Sequence, residues 1–202
     1  LLSTDHHHMV HLFYLCSRPL PTLSLYRSAV ATQFQERPDH MAISQGDTLP
    51  DATLSYMGDE GPATVALSDK TKGRKVVIFA LPGAYTGVCS TAHVPSFIRT
   101  KDQFAAKGGD EIICISVNDP FVLQAWSEST GAGAAGITML GDADASFTKA
   151  MGRDFTAPPA GLINRSKRYA MVVEDGTVTL LQEDENPGVC DVSAGEGMLD
   201  AM

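Results

Sequence analysis

The residue of this sequence best suited to covalent chemistry is Cys89. It ends residues 82–89, PGAYTGVC, which lie between a continuous apolar run and a segment of helical character. A cysteine in the first turn of a helix faces unpaired backbone N–H groups and the positive end of the helix dipole, and both favour the thiolate. Because the thiolate is the nucleophilic form, we predict that Cys89 is an attacking sulfur.

Two neighbours could build a pocket around this sulfur. Thr86 lies three residues before Cys89, so its hydroxyl can share a helical face with the sulfur and reach it or a bound oxygen atom. Pro82 has no N–H and a rigid ring, so it can form a wall without adding a donor. One reaction that suits such a pocket is the cleavage of a peroxide O–O bond. It needs an ionised sulfur, in-line alignment and hydrogen-bond donors for the leaving oxygen. Taken alone, however, a cysteine near a strand end is more often a small buried apolar residue.

The elements expected around Cys89 include several short strands. These strands are predicted at 52–56, 64–67, 75–81, 111–117, 137–140, 169–174 and 177–182. The runs 75–81 and 111–117 are continuously apolar, as in strands that are buried on both faces. Asp175 and Gly176 separate the last two strands, and Asp-Gly between β-prone runs is a strong signal for a hairpin.

Helices are predicted between most of these strands. Their ranges are 86–98 or later, 120 onward, 145–151 and 193–202. Pro95 should kink or break the first helix. Asp119 is expected to cap the second, with Pro120 in its first turn. Ser193 and Glu196 have the spacing of a capping box for the last helix.

The order of these elements predicts an α/β fold. Alternating strands and helices give a mostly parallel central sheet, and the hairpin adds antiparallel strands, so the sheet is mixed and flanked by helices. A thioredoxin-like sandwich with inserted elements fits this order. Periodicity alone also allows other α/β layer arrangements.

Composition excludes several classes of function. The chain of 202 residues has a formal net charge of −9, which argues against nucleic acid or an anionic membrane as the main partner. No apolar run approaches about 18 residues, so no membrane-spanning helix is predicted. The four cysteines are widely spaced without a C-x-x-C, unlike a disulfide framework or a zinc ribbon. Neither a metal site nor a membrane association is predicted.

The first 40 residues differ in composition from the rest. They hold five of the six histidines, few acids, and Arg18 and Arg27. This composition fits either a disordered leader or an organellar transit segment. We therefore divide the chain into a leader over 1–40 and a folded domain over 41–202. The transit interpretation places the protein in an organelle, whereas translation from Met41 would leave it in the cytoplasm.

The motif around Cys89 resembles the active-site motif of the peroxiredoxins, P-x-x-x-T-x-x-C after an apolar strand. The longer string LPGAYTGVCS with HVPSF, residues 81–90 and 93–97, resembles their type II, or peroxiredoxin-5-like, branch. So do DEIICISVNDPFV at 110–122, RYAMVV at 168–173 and SAGEGML at 193–199. The resemblance covers about residues 41–202, and the LPGAYTGVC wording is most similar to plant-type mitochondrial members, which favours the mitochondrion over the plastid.

The resemblance implies a thioredoxin-like fold with peroxiredoxin insertions and no bound cofactor. It implies reduction of hydrogen peroxide and small organic hydroperoxides through a cysteine sulfenic acid, regenerated by glutaredoxin with glutathione or by thioredoxin. It carries over Cys89 as the peroxidatic cysteine, Pro82 and Thr86 as its pocket, and Arg168 as the catalytic guanidinium. From the sequence alone, Arg168 would belong to a solvated basic turn. The resemblance also implies a homodimer.

The thiol that resolves the sulfenic acid is left open. Cys114 lies 25 residues after Cys89 (114 − 89 = 25), at the position of the second cysteine of plant-type members. Cys190 lies near the resolving cysteine of animal members, displaced by about two positions. A third alternative is direct attack by glutathione or glutaredoxin.

Two other functions compete with peroxide turnover. A thioredoxin-type disulfide reductase is the nearest enzyme, and the absence of C-x-x-C counts against it. A thiol redox sensor or holdase would use the same sulfenic chemistry to change partners. Turnover separates them, because a sensor is oxidised once and stops.

Overall fold

The computed structural model of the chain describes residues 42–186 and 188–202, so the predicted leader over 1–40 lies outside the described residues. The strands in this part are β1 (Thr53–Gly58), β2 (Gly61–Ala66), β3 (Lys75–Leu81), β4 (Glu111–Ser116), β5 (Ile137–Gly141), β6 (Asp154–Ala157), β7 (Leu162–Ser166), β8 (Tyr169–Glu174) and β9 (Thr177–Glu183). The α-helices are α1 (Leu67–Thr71), α2 (Val94–Ala106), α3 (Pro120–Thr130), α4 (Ser146–Ala150) and α5 (Gly195–Ala201). A π-helical turn spans Cys89–His93, and a 3₁₀ turn spans Pro158–Ala160.

The central sheet has the strand order β2-β1-β5-β4-β3-β8-β9. Its middle strands β3, β4 and β5 are parallel, while the hairpin β8–β9 adds antiparallel strands beside β3. Asp175 and Gly176 form the hairpin turn with φ of 47° and 77°, as the Asp-Gly signal predicts. The predicted mixed sheet is therefore confirmed, and β1–β2 form a second antiparallel pair at the other edge.

Alternate side chains of β3 enter two different apolar cores. One core includes Cys89, side chains of α2, α3 and α5, and the β3 residues Val77, Phe79 and Leu81. The other lies on the opposite face with Leu67 of α1, Phe147 of α4 and the β3 residues Val76, Ile78 and Ala80. Because apolar cores cover both faces of the sheet, the central strand β3 can be apolar at consecutive positions.

One sequence prediction near the chain's C-terminal end is wrong, and one pair of strands is missing from the sequence predictions. The last helix begins at Gly195 after Ala194, without a side-chain cap, so the predicted capping box of Ser193 and Glu196 is absent. The Ser193 hydroxyl instead donates to Asp184, and Glu196 pairs with Arg99 at 2.9 Å. The short pair β6–β7 was not predicted, because its segments are only partly buried and the intervening Pro-Pro-Ala-Gly interrupts any apolar alternation.

Smaller differences concern element boundaries. Leu67 begins α1 instead of ending β2, and helical backbone around Cys89 begins at residue 87. Asp119 caps α3 as predicted, because its carboxylate accepts from the N–H of Val122 at 3.0 Å. Among the described residues, the helices are all too short or too polar to cross a membrane.

Candidate active site

The loop between β3 and Cys89 is fixed by contacts to two other segments. Asn118, just after β4, accepts a hydrogen bond from the N–H of Ala84 at 3.0 Å through Oδ1. Arg165 of β7 donates through Nη1 to the carbonyl of Val117 at 2.8 Å. A Cβ added at Gly83 would lie 2.9 Å from the same Nη1, so glycine lets the guanidinium approach this backbone closely. Sequence reasoning missed both Asn118 and Arg165, because each looks like an ordinary loop or turn residue.

Cys89 begins a π-helical turn that leads into α2. The N–H of Val94 bonds to the carbonyl of Cys89, and Pro95 stands in the first turn of α2. Proline has no N–H, so a regular α-helical ladder cannot continue through this point. The break predicted at Pro95 thus takes the form of a widened turn, of the kind that often occurs at functional sites.

One guanidinium connects the two ends of this turn. Nη2 of Arg168 donates to Sγ of Cys89 at 3.2 Å, and Nη1 lies 2.9 Å from Nδ1 of His93. Arg168 comes just before β8 and is 1% exposed, while Cys89 and His93 are fully buried. Arg168 therefore does not lie in the solvated basic turn that the sequence alone would suggest, and a buried positive charge faces the sulfur.

His93 is neutral in this environment. Burial, and then the positive charge of Arg168, lower its pKa to about 3, against a small opposing effect of its hydrogen bond to Ser193. Nε2 lies 3.0 Å from the carbonyl of Ser193, which can only accept, so Nε2 carries the proton. Nδ1 is then a lone-pair acceptor, and it receives the hydrogen bond from Arg168. A general base at His93 is excluded by this arrangement.

Thr86 and Pro82 occupy the loop that leads to Cys89. Pro82 is buried directly after β3, and Thr86 is half-buried. The Thr86 hydroxyl donates to the carbonyl of Gly83 at 2.8 Å, so its oxygen keeps lone pairs but no free proton. In this geometry Thr86 can accept a hydrogen bond from a ligand, whereas the sequence suggested it as a donor.

The two other described cysteines differ in their surroundings. Cys114 is buried in β4 between Phe79 of β3 and Met139 of β5, and burial raises its pKa well above the usual value. Cys190 is half-buried in the segment before α5, and partial burial raises its pKa to about 11, although Arg168 acts in the opposite direction. Both thiols, like Cys89, are unbridged.

The described part of the chain contains no group of three or more histidine, cysteine or acidic side chains placed to hold a metal ion. Cys89 is instead contacted by a guanidinium, which in turn contacts a neutral imidazole. These groups suit a reaction at a sulfur atom.

Comparisons with known proteins agree with this geometry. A family model described as Redoxin matches residues 44–199. The chloroplastic peroxiredoxin-2E-2 of Oryza sativa subsp. japonica is 46% identical over 164 residues, which cover 79% of this chain and 72% of that protein. The mitochondrial peroxiredoxin-2F of Arabidopsis thaliana is 48% identical over 145 residues, covering 70% and 72%.

A solved structure is also similar to this chain in sequence and in fold. Reduced Prx3 of Vibrio vulnificus, in complex with hydrogen peroxide, is 46% identical and superimposes with a TM-score of 0.73 over 79% of this chain and 98% of that one. Sequence and fold therefore agree over a region that contains Cys89, its loop and Arg168. The chain is a thiol-dependent peroxidase that belongs to the redoxin family, in the type II branch of the peroxiredoxins.

Proposed function

We propose that Cys89 is the peroxidatic cysteine and that Pro82, Thr86 and Arg168 form its pocket. The Cys89 thiolate attacks one oxygen of a hydroperoxide, so that an S–O bond forms as the O–O bond breaks. The leaving oxygen takes a proton and departs as water or an alcohol, and Cys89 becomes a sulfenic acid. The observation that carries this proposal is the hydrogen bond of 3.2 Å from Arg168 to the buried sulfur.

Each pocket residue has a role that follows from its contacts. The guanidinium donates to Sγ of Cys89 and offers a positive charge where negative charge develops on the leaving oxygen. The Thr86 oxygen, whose proton is held by Gly83, accepts the O–H of the peroxide and orients it. Pro82 contributes a wall without a donor. Since Cys89 has no exposed surface, small peroxides are the favoured substrates, and hydrogen peroxide is the substance bound in the similar Prx3 structure.

Continued turnover separates this function from a redox sensor. With excess hydrogen peroxide and a thiol reductant, the enzyme consumes peroxide in large molar excess over protein. A sensor would consume about one equivalent and then stop.

We further propose that an external thiol, such as glutathione with glutaredoxin, resolves the sulfenic acid before either internal thiol does. Attack on an oxidised sulfur requires a thiolate. With a pKa of about 11, Cys190 is ionised to only about one part in 10⁴ at pH 7 in this conformation. Cys114 is buried in a central strand and protonated for the same reason. Thioredoxin is the alternative reductant.

Resolution by an external thiol predicts that both internal cysteines are dispensable. Turnover with glutathione and glutaredoxin should survive in Cys114→Ser, in Cys190→Ser and in the double variant. Intact mass after one equivalent of hydrogen peroxide should show a gain of one oxygen, whereas an internal disulfide would show a loss of two hydrogens. Loss of turnover with every reductant in one single variant alone would identify that cysteine as the resolver and overturn the proposal.

We propose that the chain forms a homodimer through the face beside the active-site loop. Tyr85 is 58% exposed in this loop, and Phe121 is 62% exposed at the start of α3. Their segments are joined by the hydrogen bond between Ala84 and Asn118. Exposed aromatic side chains on adjoining segments are typical of protein interfaces.

The dimer predicts a concentration-dependent sedimentation coefficient that one substitution abolishes. Phe121→Glu places a charge on the proposed interface and should give a monomer at micromolar concentration, because an unpaired buried charge is costly. Thr64→Glu, an exposed position on the edge strand β2, is the matched control and should leave the dimer intact. A monomer for the unmodified chain, both reduced and oxidised, would contradict the proposal.

We propose an organellar location, because the relatives include proteins named as chloroplastic and as mitochondrial. The sequence favours the mitochondrion over the plastid. A fluorescent protein fused behind residues 1–40 tests the location, and diffuse cytoplasmic fluorescence would count against it.

A further inference from the structure

A buried carboxylate lies behind the active-site arginine without touching the sulfur. Asp184 follows β9 and is 6% exposed. Its Oδ1 accepts the N–H groups of Asp191 and Val192, both at 3.1 Å, and its Oδ2 accepts the hydroxyl of Ser193 at 2.5 Å. One carboxylate thus holds the backbone at 191–192 and determines the position of Ser193.

Ser193 then determines which ring nitrogen of His93 carries the proton. The Ser193 hydroxyl donates to Oδ2 of Asp184, so its proton points to that oxygen. The hydroxyl oxygen, 3.4 Å from Nε2 of His93, therefore offers a lone pair, as does the Ser193 carbonyl at 3.0 Å. Two acceptors facing Nε2 require the proton to be on that nitrogen. Nδ1 is left with its lone pair toward Arg168.

The final link reaches the reacting sulfur. Nδ1 of His93 accepts from Nη1 of Arg168 at 2.9 Å, and this fixes the plane of the guanidinium so that Nη2 points to Sγ of Cys89. The backbone N–H of Asp184 also donates to the carbonyl of Arg168 at 3.1 Å, so the same residue holds both ends of the arginine.

We propose that Asp184 is a positioning residue for peroxide reduction, which acts through Ser193 and His93 on the orientation of Arg168. The proposal rests on the role of Arg168 proposed above. In this proposal, the contacts of Asp184 with residues 191–193 keep the guanidinium pointing at the sulfur.

A double-mutant cycle with Arg168 separates positioning from general stability. The rate constant for oxidation of Cys89 by hydrogen peroxide is measured for Asp184→Ala, Arg168→Ala and the double variant. Misplacement of a catalytic group by about 1 Å can cost up to about 10²-fold in rate, so Asp184→Ala should lower the rate by about tenfold or more. In the Arg168→Ala background the same substitution should have almost no effect, because its target is absent.

Glu185→Ala is the matched control, since it removes a neighbouring exposed carboxylate and should leave the rate unchanged. If Asp184→Ala does not fold, as judged by thermal unfolding, Asp184→Asn takes its place in the cycle. Asparagine keeps an acceptor for the two backbone N–H groups but turns a donor toward Ser193, so a smaller loss confined to the Arg168-containing background is expected.

Two variants of His93 test the middle of this chain of hydrogen bonds, which runs from Asp184 through Ser193 and His93 to Arg168. Asparagine can place its Oδ1 near the position of Nδ1 and keep an acceptor for Arg168, whereas glutamine can keep only the donor toward Ser193. His93→Asn should therefore retain more activity than His93→Gln, even if both variants have the same lowered melting temperature. A role in folding alone predicts equal rates for the two.

The outcomes are distinct. A loss from Asp184→Ala that is equal in both backgrounds, or no loss, overturns the positioning role while leaving Arg168 as the catalytic guanidinium. An unchanged rate for Arg168→Ala alone instead refutes the proposed role of Arg168, on which the positioning role of Asp184 depends. A loss seen only when Arg168 is present supports the proposal.

Discussion

Cys89→Ser is expected to abolish the fast reaction with hydrogen peroxide. A serine hydroxyl fits the same buried position beside Arg168, but it is not ionised near neutral pH and cannot form a sulfenic acid. Stopped-flow measurement of peroxide consumption should show no fast phase. Intact mass after peroxide treatment should show no oxygen added at residue 89.

Cys114→Ser is the matched control for this substitution. Cys114 is also buried, and its side chain belongs to the same apolar core as Cys89. It should lose some thermal stability, because a hydroxyl replaces an apolar thiol in a packed strand, yet keep the fast phase. A fast phase in the Cys89→Ser variant, or its loss in Cys114→Ser alone, would show that the attacking sulfur is wrongly assigned.

The parts of the fold that the sequence predicts well are those with strong local patterns. The continuous apolar runs of β3 and β4, the Asp-Gly hairpin turn and the Asp119 cap are each visible in a few consecutive residues. The short strands β6 and β7 carry no such pattern, since they pair with each other outside the main sheet and bury little surface. Their existence is a consequence of tertiary structure, which local propensity does not record.

Long-range contacts explain what the sequence leaves undetermined at the site. Pro82 and Thr86 lie in the loop that leads directly to Cys89, so their grouping follows from spacing alone. Arg168 lies 79 residues after Cys89, and its burial depends on how β8 enters the sheet next to β3. A polar run such as residues 165–168 favours a solvated turn when it is considered alone.

Ser193 shows how a correct local rule can be overridden. Its spacing to Glu196 matches a capping box, which would use the hydroxyl for a helix N–H group. Asp184, nine residues earlier, takes the hydroxyl instead, and the helix begins with no side-chain cap. The loss of the cap is offset by hydrogen bonds to a buried carboxylate, which are stronger than neutral ones. Local and tertiary preferences conflict here beside the active site, where such conflicts are expected.

Arg168→Ala is expected to lower the rate of peroxide reduction by about 10²–10³-fold, the usual cost of removing one preorganised donor. The guanidinium donates to both Sγ of Cys89 and Nδ1 of His93, so alanine removes the positive charge and the orientation together. Arg168→Lys should recover only part of the loss, because an ammonium lacks the planar fork needed to bond both atoms at once. The measurement is the second-order rate constant of the first oxidation step, which is independent of the resolving thiol.

The control for Arg168 is Arg99→Ala, which removes the same charge from an exposed ion pair with Glu196 and should leave this rate constant unchanged. Thr86→Val, which keeps the shape of the side chain but removes the oxygen that orients the peroxide, should also slow the reaction.

If the guanidinium acts on the transition state, the loss in Arg168→Ala persists at saturating peroxide, because an interaction made only in the transition state lowers kcat as well as kcat/KM. Full recovery at high peroxide would instead assign Arg168 to substrate binding, and an unchanged rate constant would remove it from the reaction.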